Sequence, residues 1–114
     1  VWSRLRSQEM SEFDPEAIYT AELKAGEDWC DKSHAALVLE EGKKSILAEI
    51  MLDSPSSTNS AKEMDALASK QYKQYVLQMC IAKHEANKAR VKYDAVKTLA
   101  DNRRTESVNR RAGA

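Results

Sequence analysis

The sequence predicts an all-α protein, a long antiparallel two-helix hairpin of coiled-coil type that assembles into a dimeric four-helix bundle. Three observations favour this fold class. Helix-breaking residues are scarce, with three Gly and two Pro among 114 residues. The good helix formers Ala, Glu, Lys and Arg are abundant. An apolar repeat at 4-3 spacing runs through the second half of the chain, as it does in coiled coils.

The first helix is predicted over residues 15–52, after an irregular N-terminal arm over residues 1–13. Asp14 is a good N-cap, and Pro15 suits the first helical position because its missing N–H needs no partner there. An apolar stripe at helical spacing predicts the face of this helix that packs against the rest of the protein. The stripe comprises Ile18, Ala25, Trp29, Ala36, Leu39, Ile46, Leu47 and Ile50.

Two glycines, Gly26 and Gly42, interrupt the predicted first helix. Each costs roughly 1 kcal/mol relative to Ala in a helix interior. They mark either weak points in the helix or positions where another helix approaches closely, and the sequence leaves both alternatives open.

The second helix is predicted over residues 60–111, after a Ser-rich loop over residues 53–59. Ser60 and Glu63 form a capping-box pattern, in which each side chain bonds the other residue's backbone N–H. A helix of this length extends about 75 Å. Its apolar seam keeps 4-3 spacing, which is typical of a coiled coil. The seam comprises Ala68, Tyr72, Tyr75, Met79, Ala82, Ala86, Ala89, Tyr93, Val96 and Ala100.

The two helices are predicted to pair along this seam, because a short loop makes neighbouring helices antiparallel. If the turn is centred in the middle of the loop, Pro15 lies opposite Lys97. Trp29 is then expected near Ala82 or Tyr75. In this register the second helix outruns the first by roughly 14 residues, or about 20 Å.

Charge is divided unevenly along the chain, although the formal net charge is zero. Residues 1–69 hold 7 Lys and Arg and 14 Asp and Glu, whereas residues 70–114 hold 11 and 4. Such a basic second half is typical of a nucleic-acid-binding tail. Alternatively, the two halves lie side by side and neutralise each other, and an antiparallel hairpin favours this second interpretation.

Beyond Ala100 the seam side of the second helix becomes basic, with Arg103, Arg104, Arg110 and Arg111. Four guanidinium groups near one face suit the phosphates of a nucleic acid or an acidic partner. They equally suit ion pairs with the acidic start of the first helix, or a solvated helix end where cations are favoured. No aromatic residue lies between them, so no base-stacking platform is expected.

A second, weaker apolar stripe occurs on both helices, away from the seam. A lone hairpin has little core, and small cores are marginally stable. Second stripes at one level on both helices therefore predict a homo-oligomer, with a dimer of hairpins favoured. The residues are Leu23, Cys30 and Leu37 on the first helix, and Leu77, Cys80 and Ile81 on the second.

Two of these residues also belong to a weak metal-ligand pattern, because Cys30 and His34, like Cys80 and His84, are four apart on a helix. Two Cys and two His suit Zn²⁺. However, the spacing is not that of a zinc finger, and all four residues point away from the seam. A site within one chain needs a different helix rotation or a second chain. Free Cys behaves as a small hydrophobe, and we predict no metal and no cofactor.

The sequence predicts a non-enzymatic, cytoplasmic protein. It contains no Gly-rich phosphate loop and no nucleophile motif. Charged residues make up 32% of the chain and no apolar run has transmembrane length, so no membrane association is expected. The N-terminus lacks a signal-peptide apolar region. Met10 is typical of a natural start, so we expect Val1–Glu9 to be an upstream extension or a cloning remnant.

Two C-terminal segments carry a resemblance to a known group of proteins. Val91–Ala95 followed by Arg103–Arg111 resembles the C-terminal end of small helical proteins of tailed phages and prophages. Such proteins are generally of unknown function, and some are encoded among phage recombination and single-strand-binding genes. The resemblance implies a bacterial host cell and an accessory role in phage DNA metabolism, and it carries over no catalytic residue.

The predicted function is therefore that of an oligomeric helical phage or prophage protein that acts by binding a partner. The alternative is a nucleic-acid-binding accessory factor of phage DNA metabolism or recombination that uses the C-terminal arginines. Retention on DNA that depends on salt distinguishes the two, because phosphate contacts release counterions.

Overall fold

The computed structural model describes residues 14–113, and nearly all of that range is helical. It contains three helices: α1 (Pro15–Leu52), α2 (Asn59–Ala68) and α3 (Lys70–Gly113). No strand occurs within residues 14–113, which confirms the predicted all-α class. The arm predicted over residues 1–13, and with it Val1–Glu9, lies outside the described residues.

α1 begins at Pro15 because Asp14 caps it, as the sequence predicts. Oδ1 of Asp14 accepts the backbone N–H of Glu16 at 3.1 Å and that of Ala17 at 3.2 Å. These bonds satisfy two of the N–H groups that the first turn of any helix leaves without an intrahelical partner. α1 then continues as one helix to Leu52.

The second predicted helix is in fact two helices, because the backbone leaves the helical conformation at Ser69, where φ is −67° and ψ is 149°. The N–H and Oγ of Ser69 both donate to the carbonyl of Ala66, at 3.1 and 2.6 Å. The same Oγ accepts the N–H of Tyr72 at 3.1 Å. One hydroxyl therefore ends α2 and caps α3, as Ser side chains do when they compete with the helical backbone.

α2 begins at Asn59, and the capping box predicted from Ser60 and Glu63 is wrong. Thr58 is the N-cap, in an extended conformation with its Oγ1 accepting the N–H of Ala61 at 3.2 Å. Ser60 lies inside the first turn, so it does not cap the helix. Both Thr and Ser are good N-cap residues, and the sequence pattern alone did not decide between neighbouring candidates.

The chain divides into two compact units, each with a part of α1 and a part of α3. Among the described residues, unit 1 comprises residues 14–27 and 90–113, and unit 2 comprises Asp28–Ala89. In unit 2, Lys83 of α3 lies 3.2 Å from the carboxylate of Glu40 of α1. Nearer the start of α3, Gln71 and Gln74 line one groove with Ile46, Glu49 and Ile50 of α1. Contacts nearer the start of α3 therefore fall later in α1, so the two helices of this unit run antiparallel.

Both glycines of α1 lie where α3 approaches closely. Of the two alternatives left open by the sequence, weak points or positions of close approach, the structure supports close approach. In unit 1, the ring of Tyr93 lies 3.3 Å from the position that a Cβ on Gly26 would take. In unit 2, Oη of Tyr75 lies 2.8 Å from the corresponding position on Gly42 and donates to the carbonyl of Leu39 at 2.5 Å. A side chain at either position would meet a tyrosine.

The predicted seam is the covered side of α3. Every seam position from Tyr72 to Ala100 is buried or half-buried, whereas Ala68, which precedes the break, is exposed. Among residues 14–113, most buried residues are alanines, so each removes little apolar area from water. The buried residues are Ala25, Ala36, Ala66, Tyr72, Met79, Ala86, Ala89 and Ala100.

The register between α1 and α3 differs from the predicted one. In unit 2, Tyr75 lies against Leu39 and Gly42. The predicted register places residue 37 opposite Tyr75, so the observed partners lie two to five residues later in α1 than predicted. Tyr75, one of the two neighbours predicted for Trp29, does not lie beside it, because its partner Leu39 lies ten residues, or about 15 Å, farther along α1. The prediction counted residues along one straight helix from the loop. The break at Ser69 invalidates that count, because α2 and α3 are not one continuous rod.

Candidate interaction surfaces

The second apolar stripe predicted from the sequence is exposed on both helices. The α1 outer stripe consists of Cys30, His34 and Leu37, and the α3 outer stripe consists of Leu77, Cys80, Ile81 and His84, all in unit 2. Leu37 is 52% exposed, Leu77 60% and Ile81 53%. Both cysteines are free and exposed. Leu23, the remaining predicted residue, is 48% exposed and belongs to unit 1.

The two outer stripes lie on opposite sides of the helix pair in unit 2. Leu77 and Ile81 are each two residues from buried Met79, which places them about 160° around α3 from its covered side. His34 has the same relation to buried Ala36 on α1. The covered sides of the two helices face each other, so the outer stripes point apart. The predicted bundle, in which one dimer interface buries both stripes, does not fit this arrangement.

The same geometry separates the residues of the metal-ligand pattern. Cys30 and His34 lie on the outer side of α1, whereas Cys80 and His84 lie on the outer side of α3. Within residues 14–113, no three His, Cys, Asp or Glu side chains converge in a way that suits a metal ion. The chain therefore does not assemble this set by itself.

The charges beside the two outer stripes have opposite signs. Asp31 and Glu41 flank the α1 outer stripe, and Lys73 and Lys88 flank the α3 outer stripe, all exposed. Glu85 reaches Lys88 at 3.5 Å from the preceding turn. Over unit 2 as a whole, α1 carries five acidic and three basic residues, whereas α3 carries four Lys and one Glu. Unit 2 thus presents one acidic and one basic apolar stripe.

Arg103, the first of the predicted arginines, is half-buried at the start of α1 in unit 1. It lines an open groove of about 240 Å³ together with Asp14, the N-cap of α1. Arg103 therefore lies near the level that the prediction assigned to Lys97, and the overhang of α3 is shorter than predicted. The other lining residues are Ala17, Ile18, Ala21, Val96, Leu99 and Ala100.

Arg104 is engaged within unit 1. Its Nη1 lies 3.0 Å from Oδ1 of Asp101 on α3 and 3.5 Å from Oε1 of Glu22 on α1. The Glu22 oxygen is buried and accepts no hydrogen bond from any described residue, so Arg104 compensates its charge without a well-aligned bond. Arg110 and Arg111 are exposed, and each approaches a polar side chain one turn earlier on α3, at 3.9 and 3.3 Å.

The loop between α1 and α2 is held by a carboxylate that the sequence did not single out. Oδ2 of Asp65, on α2, accepts the hydroxyls of Ser54 at 2.7 Å and Ser56 at 2.6 Å. The two hydrogen bonds lower the pKa of the Asp65 carboxyl below its ordinary value, and the bond from Ser56 has the larger effect. Because Asp65 is fully exposed and its two donors come from the loop, its part is to hold the loop on α2.

No protein-family model, curated protein or solved structure matches this chain. The resemblance of its C-terminal segments to small phage proteins therefore stays a prediction from the sequence. Among the described helices, none combines the length and the hydropathy that crossing a bilayer requires.

Proposed function

We propose that this chain is a non-enzymatic helical hairpin that acts by binding protein partners, and that a second copy of itself is the first of these partners. The observation that carries the proposal is the pair of exposed apolar stripes in unit 2, where Leu37, Leu77 and Ile81 each leave about half of their surface in water. Apolar residues repeated at helical spacing on an exposed face are typical of surfaces that other helices cover.

The small core supports self-association as well. Most of the buried residues are alanines, and covering a second face with another copy adds apolar burial that the isolated chain lacks. The resemblance of Arg103–Arg111 to phage and prophage proteins supports placing this partner binding in a bacterial host cell. An accessory factor of phage DNA metabolism that binds nucleic acid through the C-terminal arginines stays the alternative proposal.

Sedimentation over a range of protein concentrations tests self-association, with the native cysteines as internal probes. Cys30 and Cys80 each lie in an outer stripe and are exposed in the single chain. We expect species larger than the monomer at high concentration, and alkylation of both thiols that slows as the protein is concentrated. A monomer at every concentration, with alkylation rates that do not change, would contradict the proposal.

A further inference from the structure

The two outer stripes of unit 2 cannot be buried by one contact between like surfaces. A two-fold dimer joins the same patch on both copies. Because the α1 outer stripe and the α3 outer stripe point to opposite sides of the helix pair, such a dimer covers one of them and leaves the other exposed. Contact between unlike surfaces covers one stripe of each kind at every interface.

The flanking charges distinguish these two arrangements. Two α1 outer stripes brought together would oppose the carboxylates of Asp31 and Glu41 to those of the second copy. Two α3 outer stripes would oppose Lys73 and Lys88 to the same lysines. An α1 outer stripe against an α3 outer stripe brings carboxylates to ammonium groups, and electrostatic complementarity of this kind selects partners and register.

The spacing of the two stripes also matches. Cys30, His34 and Leu37 follow one another at 4-3 spacing, and Leu77, Ile81 and His84 repeat that spacing. Two such stripes pack against each other in the manner of a coiled coil. Antiparallel packing places Leu37 against Leu77, whereas parallel packing would place Leu37 against His84. The antiparallel match is therefore the more apolar one.

This antiparallel packing brings one charged pair to the same level. Glu41 lies one turn after Leu37, and Lys73 lies one turn before Leu77. Both side chains are exposed, and neither forms an ion pair with another residue in the range 14–113. They are therefore available to each other across an interface between copies.

We propose that copies of this chain join through unlike surfaces, with the α1 outer stripe of one copy packed antiparallel against the α3 outer stripe of the next. The proposal rests on the proposed self-association and specifies its geometry. An open assembly then keeps one free α1 outer stripe at one end and one free α3 outer stripe at the other. Interfaces of this type continue into open chains or close into rings, and a closed two-fold dimer is not their product.

Complementation between two interface variants tests this arrangement. Leu37→Asp disables the α1 outer stripe and Ile81→Asp disables the α3 outer stripe, each at a position that leaves about half of its surface in water in the single chain. We expect wild-type protein to sediment as a series of species beyond the dimer. Each variant alone should sediment as a monomer, and their equimolar mixture should form a dimer of one copy of each.

Circular dichroism should show that the variants keep their helices, and Met64→Asp serves as a matched control. Met64 is 69% exposed on α2, outside both stripes, so this variant should assemble as the wild type does.

The charge pair formed by Glu41 and Lys73 gives a second readout. Glu41→Lys and Lys73→Glu should each weaken assembly at low salt, and the double variant, which restores opposite charges across the interface, should recover it.

The possible failures have different meanings. If either interface variant dimerises alone and the mixture gains nothing, like surfaces join, and the unlike-surface arrangement is wrong although self-association stands. If wild-type protein stays monomeric at every concentration, the proposed self-association itself is wrong. The arrangement is also wrong if wild-type protein assembles but assembly is recovered neither in the mixture of variants nor in the charge-reversed double variant.

Discussion

Single residues at the contact between α1 and α3 decide how closely the helices approach. At Gly42 the hydroxyl of Tyr75 occupies space that a side chain would need, and that hydroxyl is bonded to the carbonyl of Leu39. The sequence identified Gly42 as a position of either weakness or close approach. It could not choose, because the choice depends on which residue of the second helix lies opposite.

Replacing Gly42 by Ala tests this contact. Ala is a better helix former than Gly by about 1 kcal/mol. However, its Cβ would stand 2.8 Å from Oη of Tyr75, and displacing that hydroxyl from its acceptor costs about 1–3 kcal/mol when the group is removed from water. We therefore expect Gly42→Ala to destabilise the protein by about 1 kcal/mol in chemical denaturation, as the difference between these terms.

The sign of the effect should reverse when the hydroxyl is absent. In a Tyr75→Phe background the nearest ring atom lies 4.0 Å from the added Cβ, which is an ordinary contact. Gly42→Ala should then stabilise the protein by up to about 1 kcal/mol through helix propensity alone. Equal effects in both backgrounds would show that the tyrosine hydroxyl does not limit this position.

At the scale of elements, local hydrogen bonding sets where helices begin and end. The sequence predicted some of these helix ends and missed others. Asp14 before Pro15 predicted the start of α1, because Asp is a favoured N-cap and Pro is favoured at the first helical position. The end of α2 was missed. Ser69 lies in an otherwise helical stretch without Gly or Pro, and its hydroxyl ends one helix and caps the next.

The loop between α1 and α2 should show a characteristic acid titration. The hydrogen bonds from Ser56 and Ser54 lower the pKa of Asp65 in the folded protein below the ordinary value of 3.8. Their stabilising effect is therefore complete above that value and is lost as the pH falls through the lower, folded pKa. A titration of the Asp65 carboxyl by NMR should have its midpoint below 3.8.

Removing the two donors should return the midpoint towards the ordinary value. The double variant Ser54→Ala and Ser56→Ala leaves the carboxylate without the hydroxyls that favour its charged form. Ser57→Ala is the matched control, since it removes a neighbouring loop hydroxyl that is not one of the two donors. An Asp65 midpoint that is the same in all three proteins would mean that the serines do not hold the loop.

For the molecule as a whole, the seam of α3 followed from the 4-3 spacing alone, because covered positions of a helix repeat with its turn. The interaction surfaces followed less completely. The spacing identified the outer stripes, but their placement on opposite sides depends on which side of each helix the partner helix covers. Glu22 was also missed as the partner of Arg104, although it falls between Ile18 and Ala25 of the apolar stripe on α1.

The distribution of charge over the chain bears on the nucleic-acid alternative. Although α3 is strongly basic, Arg104 faces the carboxylates of Glu22 and Asp101, and half-buried Arg103 lines the groove beside Asp14. Phosphate binding through these groups has to displace internal partners. We therefore expect wild-type protein to ignore single- and double-stranded DNA and RNA at low ionic strength.

Replacing Arg104 by Gln measures the internal role of the arginines directly. Gln is nearly as good a helix former as Arg, but it leaves the buried Glu22 oxygen without a compensating charge. We expect a loss of stability on the order of 1 kcal/mol at low salt, which shrinks as salt screens the partly exposed pair. The double variant Arg110→Gln and Arg111→Gln, at exposed positions, should change stability little. Two results together would favour the nucleic-acid alternative. The first is unchanged stability of Arg104→Gln. The second is DNA binding by the wild type whose log K falls, for each phosphate contact, by about 0.7–0.9 per unit of log salt.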